Sequence, residues 1–82
     1  MQSVALLRLF AQAREAAGVS SAEFVGATVA DIINEATARF GQGFADVVSM
    51  SKVWVNGEEV PMSHVVGDND EVAVLPPVSG GM

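Results

Sequence analysis

Hydrophobic residues alternate with polar ones in several short segments of this chain, and this spacing predicts β-strands. We expect strands over residues 4–10, 21–25, 52–55, 58–60 and 70–75. In the first strand, one face carries Ala5, Leu7 and Leu9. The other face carries Val4, Leu6, Arg8 and Phe10, so both faces have apolar side chains.

Apolar residues recur at helical spacing over residues 29–40, which predicts the main helix. Thr28 precedes it as a candidate N-cap, Asp31 lies in its first turn, and Gly41 follows its end. Residues 11–17 are compatible with a short helix that Gly18 ends. Residues 44–50 show no firm pattern, and we interpret them as a loop or irregular turn with packed apolar side chains.

The order of these elements predicts an α+β domain of the β-grasp (ubiquitin-like) class. In that arrangement a mixed sheet of four to five strands packs on one main helix, and the first and last strands pair in parallel. We expect a domain over residues 1–75 and a flexible Gly-Gly tail with one extra methionine over residues 76–82. The predicted core consists of Leu7, Leu9, Ile32, Ile33, Ala36, Phe40, Val72 and Val74.

The segment Pro76-Pro77-Val78-Ser79-Gly80-Gly81 is the most informative part of the chain. Prolines hold the backbone extended, and glycines have no Cβ, so the segment fits a narrow slot. Six extended residues reach roughly 20 Å. The segment therefore favours insertion into another protein's active site, although a frayed glycine-rich terminus is the simpler alternative.

Composition narrows the possible functions. The 82 residues form one domain that is too small for a cleft between subdomains, which favours a carrier or binding module. A net charge of −6 argues against nucleic acid and for a basic protein partner. The absence of cysteine and the single histidine argue against thiolate chemistry and a metal site. Without a long apolar run or a basic leader, we expect a cytoplasmic protein that does not insert into membranes.

Residues 9–15, the turn at residues 55–57 and above all residues 70–81 resemble the small subunit of molybdopterin synthase, a ubiquitin-like sulfur carrier. Residues 19–50 share with that family only the pattern of apolar and polar positions. The resemblance implies that an E1-like activating enzyme adenylates Gly81 and that the glycine then becomes a thiocarboxylate. It also implies that the large synthase subunit receives this tail and transfers its sulfur to a pterin precursor. The protein would then be a sulfur-carrying subunit rather than an enzyme by itself.

The resemblance and the expected exposure together imply a partner-binding set: Phe10, Arg14, Leu75, Pro76, Pro77, Val78, Ser79 and Gly80. Parallel first and last strands would bring Phe10 close to Leu75 as an apolar docking patch, unless the pair covers a minor second core. Arg14 is either a contact for acidic groups of the activating enzyme or a solvated helix charge. Trp54 is interpreted as a core or half-buried strand residue.

No cofactor is expected on this chain, because it has no phosphate-binding loop; the activating enzyme would use ATP and Mg²⁺. A carboxylate reacts with a sulfur nucleophile only after its oxygen becomes a good leaving group such as AMP. An activated glycine that meets a lysine instead of sulfide forms an isopeptide bond. Two alternatives therefore stay open: a sulfur carrier for thiamine or cysteine synthesis, and a ubiquitin-like protein modifier.

Met82 departs from the family pattern, because the reactive residue should be a terminal glycine. As written, the carboxyl carbon of Gly81 lies in a peptide bond. We therefore expect a precursor from which a peptidase removes Met82. The alternatives are a methionine that does not belong to the natural protein and a carrier-like protein that never accepts sulfur.

Overall fold

The computed structural model describes residues 2–77. Five strands and three helices follow one another in the order β1 (Ser3–Leu9), α1 (Ala11–Ala17), β2 (Ser21–Gly26), α2 (Val29–Phe40), α3 (Gln42–Ser49), β3 (Lys52–Val55), β4 (Glu58–Glu59) and β5 (Glu71–Leu75). The predicted strands are all present, with ends that differ by one residue at most.

The five strands form one mixed sheet in the order β2-β1-β5-β3-β4. β1 and β5 pair in parallel, with Leu9 opposite Val74, whereas the other neighbouring strands are antiparallel. The parallel pairing confirms the predicted β-grasp arrangement. It places β5, from which the tail emerges, between two other strands.

The core lies between one face of this sheet and the helices. Alternating residues of β1 and β5 meet the apolar stripe of α2 there, and seven of the eight predicted core residues are buried. Phe40 is the exception, because it is only half-buried. Its ring packs edge-on against Phe24 and Phe44, with centroids 5.9 and 5.2 Å apart, at the margin of the core.

The start of α2 is fixed by the predicted cap. The Oγ1 atom of Thr28 accepts a hydrogen bond from the Asp31 backbone N–H at 3.3 Å. In return, the Asp31 carboxylate accepts hydrogen bonds from the N–H groups of Ala27 and Thr28, at 2.9 and 3.2 Å. These backbone donors, that of Ala27 first, lower the pKa of Asp31 below its usual value.

Helix α3 was not predicted, and the interpretation of residues 44–50 as a loop is wrong. Two buried side chains one turn apart, Phe44 and Val48, hold α3 against the core. The helix has only eight residues, and its N-cap Gly41 offers no side-chain oxygen. This segment is therefore too short, and has no side-chain N-cap, for its sequence to be recognised as a helix.

The predicted turn at Asn56 and Gly57 has positive φ at both residues, 51° and 90°. The Asn56 side chain also reaches the start of β5: its Oδ1 accepts from the Glu71 N–H, and its Nδ2 donates to Asp70, both at 3.0 Å. The Asp70 carboxylate accepts a further hydrogen bond from the Gly67 N–H at 2.7 Å. The Gly67 bond, and then the Asn56 bond, lower the pKa of Asp70. This network anchors the strand that carries the tail.

Candidate functional site

The sheet face opposite the core is uncovered in the described residues 2–77, and we call it the open face. Strand residues that alternate with the core residues point towards it. Leu6 on β1, Trp54 on β3, and Ala73 and Leu75 on β5 are all half-buried. An apolar strip thus crosses the middle strands without a helix to cover it.

Two ion pairs border this strip. Arg8 Nη1 lies 3.0 Å from Glu71 Oε2, and Lys52 Nζ lies 3.8 Å from Glu59 Oε1. All four side chains are more than two-fifths exposed, so each pair contributes at most about 1 kcal/mol to folding. Such pairs separate easily when another molecule approaches the open face.

A groove of about 300 Å³ lies on the open face where the chain leaves β5. We call it the tail-root groove, and it is lined by Met50, Lys52, Trp54, Leu75, Pro76 and Pro77. Antiparallel pairing places Lys52 opposite Leu75 and Trp54 opposite Ala73, so β3 forms one wall. The apolar lining fits an apolar group of a partner protein better than a polar substrate.

A second concavity of about 490 Å³ lies at the β1–β2 end of the open face. Its lining includes the carboxylates of Glu23 and Asp68 beside Val4 and Leu6. Asp68 Oδ1 already accepts a hydrogen bond from the Val4 N–H at 2.9 Å. Because it lies away from the root of the tail, this concavity has no evident connection with tail chemistry.

The structure places three of the predicted partner-binding residues in the tail-root groove and leaves two outside its lining. Leu75, Pro76 and Pro77 line the tail-root groove. Phe10 is not a strand residue as predicted: it is the N-cap of α1 and is 39% exposed. It follows Leu9, the partner of Val74, but it does not line the groove.

Arg14 lies exposed in the last turn of α1, outside the groove lining. The predictions for Val78, Ser79, Gly80 and Gly81 concern residues outside the described range, as does the prediction for Met82.

Sequence reasoning missed Met50 and Lys52 as groove residues, and it treated Trp54 as a strand residue only. Trp54 is indeed half-buried on a strand, yet it also lines the groove. Alternation contained the signal for β3: Val53 and Val55 face the core, so the residues between and before them face outward. Alternation along β3 does not reveal that β3 pairs with β5, or in which register.

Neither a metal site nor a membrane span is found among the described residues. Over residues 2–77, no three histidine or carboxylate side chains come together as candidate ligands. None of the helices in this range has the length and apolar character to cross a bilayer.

Comparison with known proteins agrees with this geometry. A sequence model of the ThiS family matches residues 7–81, which is most of the chain. This chain belongs to the ThiS family. The match ends at Gly81, one residue before Met82.

Solved structures show the same fold. Small archaeal modifier protein 1 from Methanosarcina acetivorans has a TM-score of 0.88 at 25% identity, over 99% of both chains. A putative molybdopterin converting factor subunit 1 from Pyrococcus furiosus has a TM-score of 0.81 at 31% identity, over 93% of this chain and 99% of that one. A chain of the BexX/CysO complex from Amycolatopsis orientalis has a TM-score of 0.81 at 30% identity, over 94% and 99%.

These similarities place the protein among ThiS-like sulfur carriers and ubiquitin-like modifiers. They confirm the β-grasp fold and the resemblance to the small subunit of molybdopterin synthase at the family level. The similar proteins carry names from different pathways, so the pathway is a separate question.

Proposed function

We propose that this protein is a cytoplasmic sulfur carrier for molybdopterin synthesis. The observation that carries the proposal is the apolar tail-root groove, which lies beside the stiff Pro76-Pro77 stem at the end of a strand inside the sheet. A partner that binds the groove is correctly placed to receive the tail. The match of the family model as far as Gly81 and the 31% identity to a putative molybdopterin converting factor subunit support the proposal.

Gly81 is the reacting residue in this proposal. An E1-like enzyme with ATP and Mg²⁺ converts its carboxylate to an acyl adenylate, in which AMP is the leaving group. Sulfide then attacks the carboxyl carbon, a C–S bond forms as the C–O bond to AMP breaks, and loss of the remaining proton leaves a thiocarboxylate on Gly81. The large synthase subunit takes up the tail, and the sulfur passes from Gly81 to the pterin precursor.

The other residues of the site position this terminus. Leu75 and the two prolines contact the partner through the tail-root groove, and the prolines restrict the directions in which the tail leaves the domain. Val78, Ser79 and Gly80 form the thin segment that enters the active site of the partner. Phe10 and Arg14 lie outside the groove and act as peripheral contacts.

Release of Met82 precedes activation. Any residue after Gly81 ties its carboxyl carbon into an amide, which has no carboxylate oxygen for adenylation. A peptidase that hydrolyses the Gly81–Met82 bond makes this carboxylate available, and the carrier then enters its cycle.

Protein modification is the second candidate function. It is favoured by the high structural similarity to small archaeal modifier protein 1, with a TM-score of 0.88. Both functions use an activated Gly81 and differ only in the nucleophile. Sulfur carriage for cysteine or thiamine synthesis is the third possibility, and the similarity to a chain of the BexX/CysO complex fits another sulfur pathway.

The nucleophile can be identified by intact mass. The processed chain, residues 1–81, is incubated with a matching adenylating enzyme, ATP, Mg²⁺ and sulfide, and then with a large synthase subunit and the pterin precursor. We expect a thiocarboxylate that disappears as the pterin gains sulfur. A thiocarboxylate that the large subunit never consumes would assign the protein to another sulfur pathway. Chains recovered from cells mainly as lysine conjugates would assign it to protein modification.

A further inference from the structure

Met50 lies between α3 and β3 and lines the tail-root groove. Its backbone is held in place, because its N–H donates to the carbonyl groups of Val47 and Val48 at the end of α3. The hydroxyl of the next residue, Ser51, also donates to the Val47 carbonyl at 2.6 Å. Met50 is nevertheless 65% exposed, although methionine is usually a buried residue. Its thioether is therefore open to small molecules in solution at a defined place in the groove.

We propose that Met50 is an oxidation site, at which a peroxide converts the thioether to a sulfoxide and thereby weakens the docking of a partner in the tail-root groove. This inference rests on the proposed docking surface and adds a regulation of that same site. The chain has no cysteine, so its four methionines carry all of its side-chain sulfur. Within residues 2–77 these are Met50 and Met62, of which only Met50 lines the groove.

The oxidation is a two-electron oxygen transfer. A lone pair of the Met50 sulfur attacks one oxygen of hydrogen peroxide, an S–O bond forms, and the O–O bond breaks. The sulfur is oxidised by two electrons, and the peroxide is reduced by two electrons. The departing hydroxide takes the proton from the transferred oxygen and leaves as water. Methionine sulfoxide reductases restore the thioether, so the modification is reversible.

A sulfoxide at position 50 changes the groove and spares the fold. Apart from Lys52, the other side chains that line the groove are apolar. An apolar partner group that covers the sulfoxide would bury its polar S–O bond, which is unfavourable unless the oxygen finds a hydrogen-bond donor. Met50 is not part of the buried core, so its oxidation leaves the core packing intact. The oxidised carrier therefore keeps its fold and loses affinity for its partner.

This position also determines when oxidation takes place. A partner that docks in the groove covers Met50, so the free carrier is open to peroxide and the complex is protected. A thiocarboxylate is itself an oxidisable sulfur nucleophile, and sulfur transfer during exposure to peroxide would waste it. Oxidation of Met50 would withhold free carriers from new complexes until a reductase restores the thioether.

The fluorescence of Trp54 tests the modification without a partner. Trp54 is the single tryptophan of the chain, is half-buried and lines the same groove as Met50. The full 82-residue chain is treated with hydrogen peroxide, and the oxidation of each methionine is measured by peptide mapping. We expect the Trp54 emission to shift to longer wavelength as Met50 is oxidised, because the groove becomes more polar. Unchanged emission after complete oxidation of Met50 would overturn the proposal, as would a Met50 that stays reduced while Met62 is oxidised.

Calorimetric titration of the processed chain, residues 1–81, against a large synthase subunit tests the effect on docking. We expect oxidation to weaken Kd at least about fivefold, as burial of a poorly paired polar group would. A methionine sulfoxide reductase should restore the original Kd. The Tm of the oxidised chain should differ by less than about 4 °C from that of the reduced chain, because the change lies on the surface. Equal Kd values for the oxidised and reduced chains would overturn the proposal.

Met50→Leu and Met62→Leu are the matched variants, each measured before and after peroxide treatment. Met62 lies between β4 and β5, is 42% exposed and does not line the groove. Whatever its own affinity, Met50→Leu should bind equally before and after treatment, whereas Met62→Leu should lose affinity as the natural chain does. A loss in treated Met50→Leu would assign the effect to another residue and overturn the proposal. If the large subunit does not bind even the reduced natural chain, the proposed function fails, and the Trp54 emission alone decides this inference.

Discussion

Adjacent residues at the end of β5 should have separable roles, because Val74 faces the core and Leu75 faces the tail-root groove. Val74 is 0% exposed, whereas Leu75 is half-buried and lines the groove. Leu75→Ala should therefore weaken partner binding and leave the fold intact. Val74→Ala serves as the matched variant on the opposite face.

The magnitudes follow from burial. Val74→Ala removes two buried carbons, worth about 0.8 kcal/mol each, and leaves a cavity, so we expect a loss of about 2–3 kcal/mol in unfolding free energy. For a domain of this size, that lowers Tm by roughly 10–20 °C. Leu75→Ala should cost about 1–3 kcal/mol of binding as a central contact, which weakens Kd about 5- to 140-fold. Its unfolding free energy should fall by less than about 1 kcal/mol.

Thermal unfolding and calorimetric titration against a large synthase subunit measure the two effects. Val74→Ala should bind normally at temperatures below its own unfolding transition. If the affinity of Leu75→Ala for the large subunit is unchanged, the groove is not part of the binding surface. Unfolding of that variant would show that Leu75 belongs to the core.

Three further predictions concern stability. Ile33→Asp should unfold the domain, because a buried unpaired carboxylate costs several kcal/mol against a total of about 5–15 kcal/mol; an unchanged thermal melt would contradict the core assignment. Gly26→Ala places a Cβ 2.6 Å from the Cβ of Asp31, and we expect the unfolding free energy measured with urea to fall by about 1–3 kcal/mol. An unchanged unfolding free energy would refute this expectation. Because folding lowers the pKa values of Asp31 and Asp70, their stabilising effect is present above the unfolded value near 3.9 and is lost as pH falls through the folded values. Asp31→Asn should flatten the acid side of the stability profile, and an unchanged profile would argue against this linkage.

Local patterns were sufficient for most of the fold. Alternation located the strands, and the stripe from Val29 to Ala36 with the Thr28 cap located α2. Helix α3 was not predicted because Phe44 and Val48 become a recognisable apolar pair only when the rest of the core is present. Tertiary packing, rather than local propensity, determines such a short helix.

The candidate site was only partly predictable for a related reason. The tail is recognisable in the sequence by its prolines and glycines, and the outward position of Leu75 follows from the alternation in β5. The position of Lys52 in the groove depends on the pairing of β3 with β5, whose residues are about twenty positions apart in the chain. Phe10 was assigned to a strand, yet its position as the cap of α1 turns the chain away from the sheet.

The central proposal is that Gly81 becomes a thiocarboxylate after Met82 is removed. The full 82-residue chain and a chain that ends at Gly81 are incubated in parallel with a matching adenylating enzyme, ATP, Mg²⁺ and a sulfur donor, and both are followed by intact mass. We expect the chain ending at Gly81 to gain the mass of one oxygen-to-sulfur exchange and the full chain to stay unmodified until a peptidase removes Met82. Efficient sulfur transfer to the untrimmed chain at its terminus, or none to the chain that ends at Gly81, would contradict the proposal.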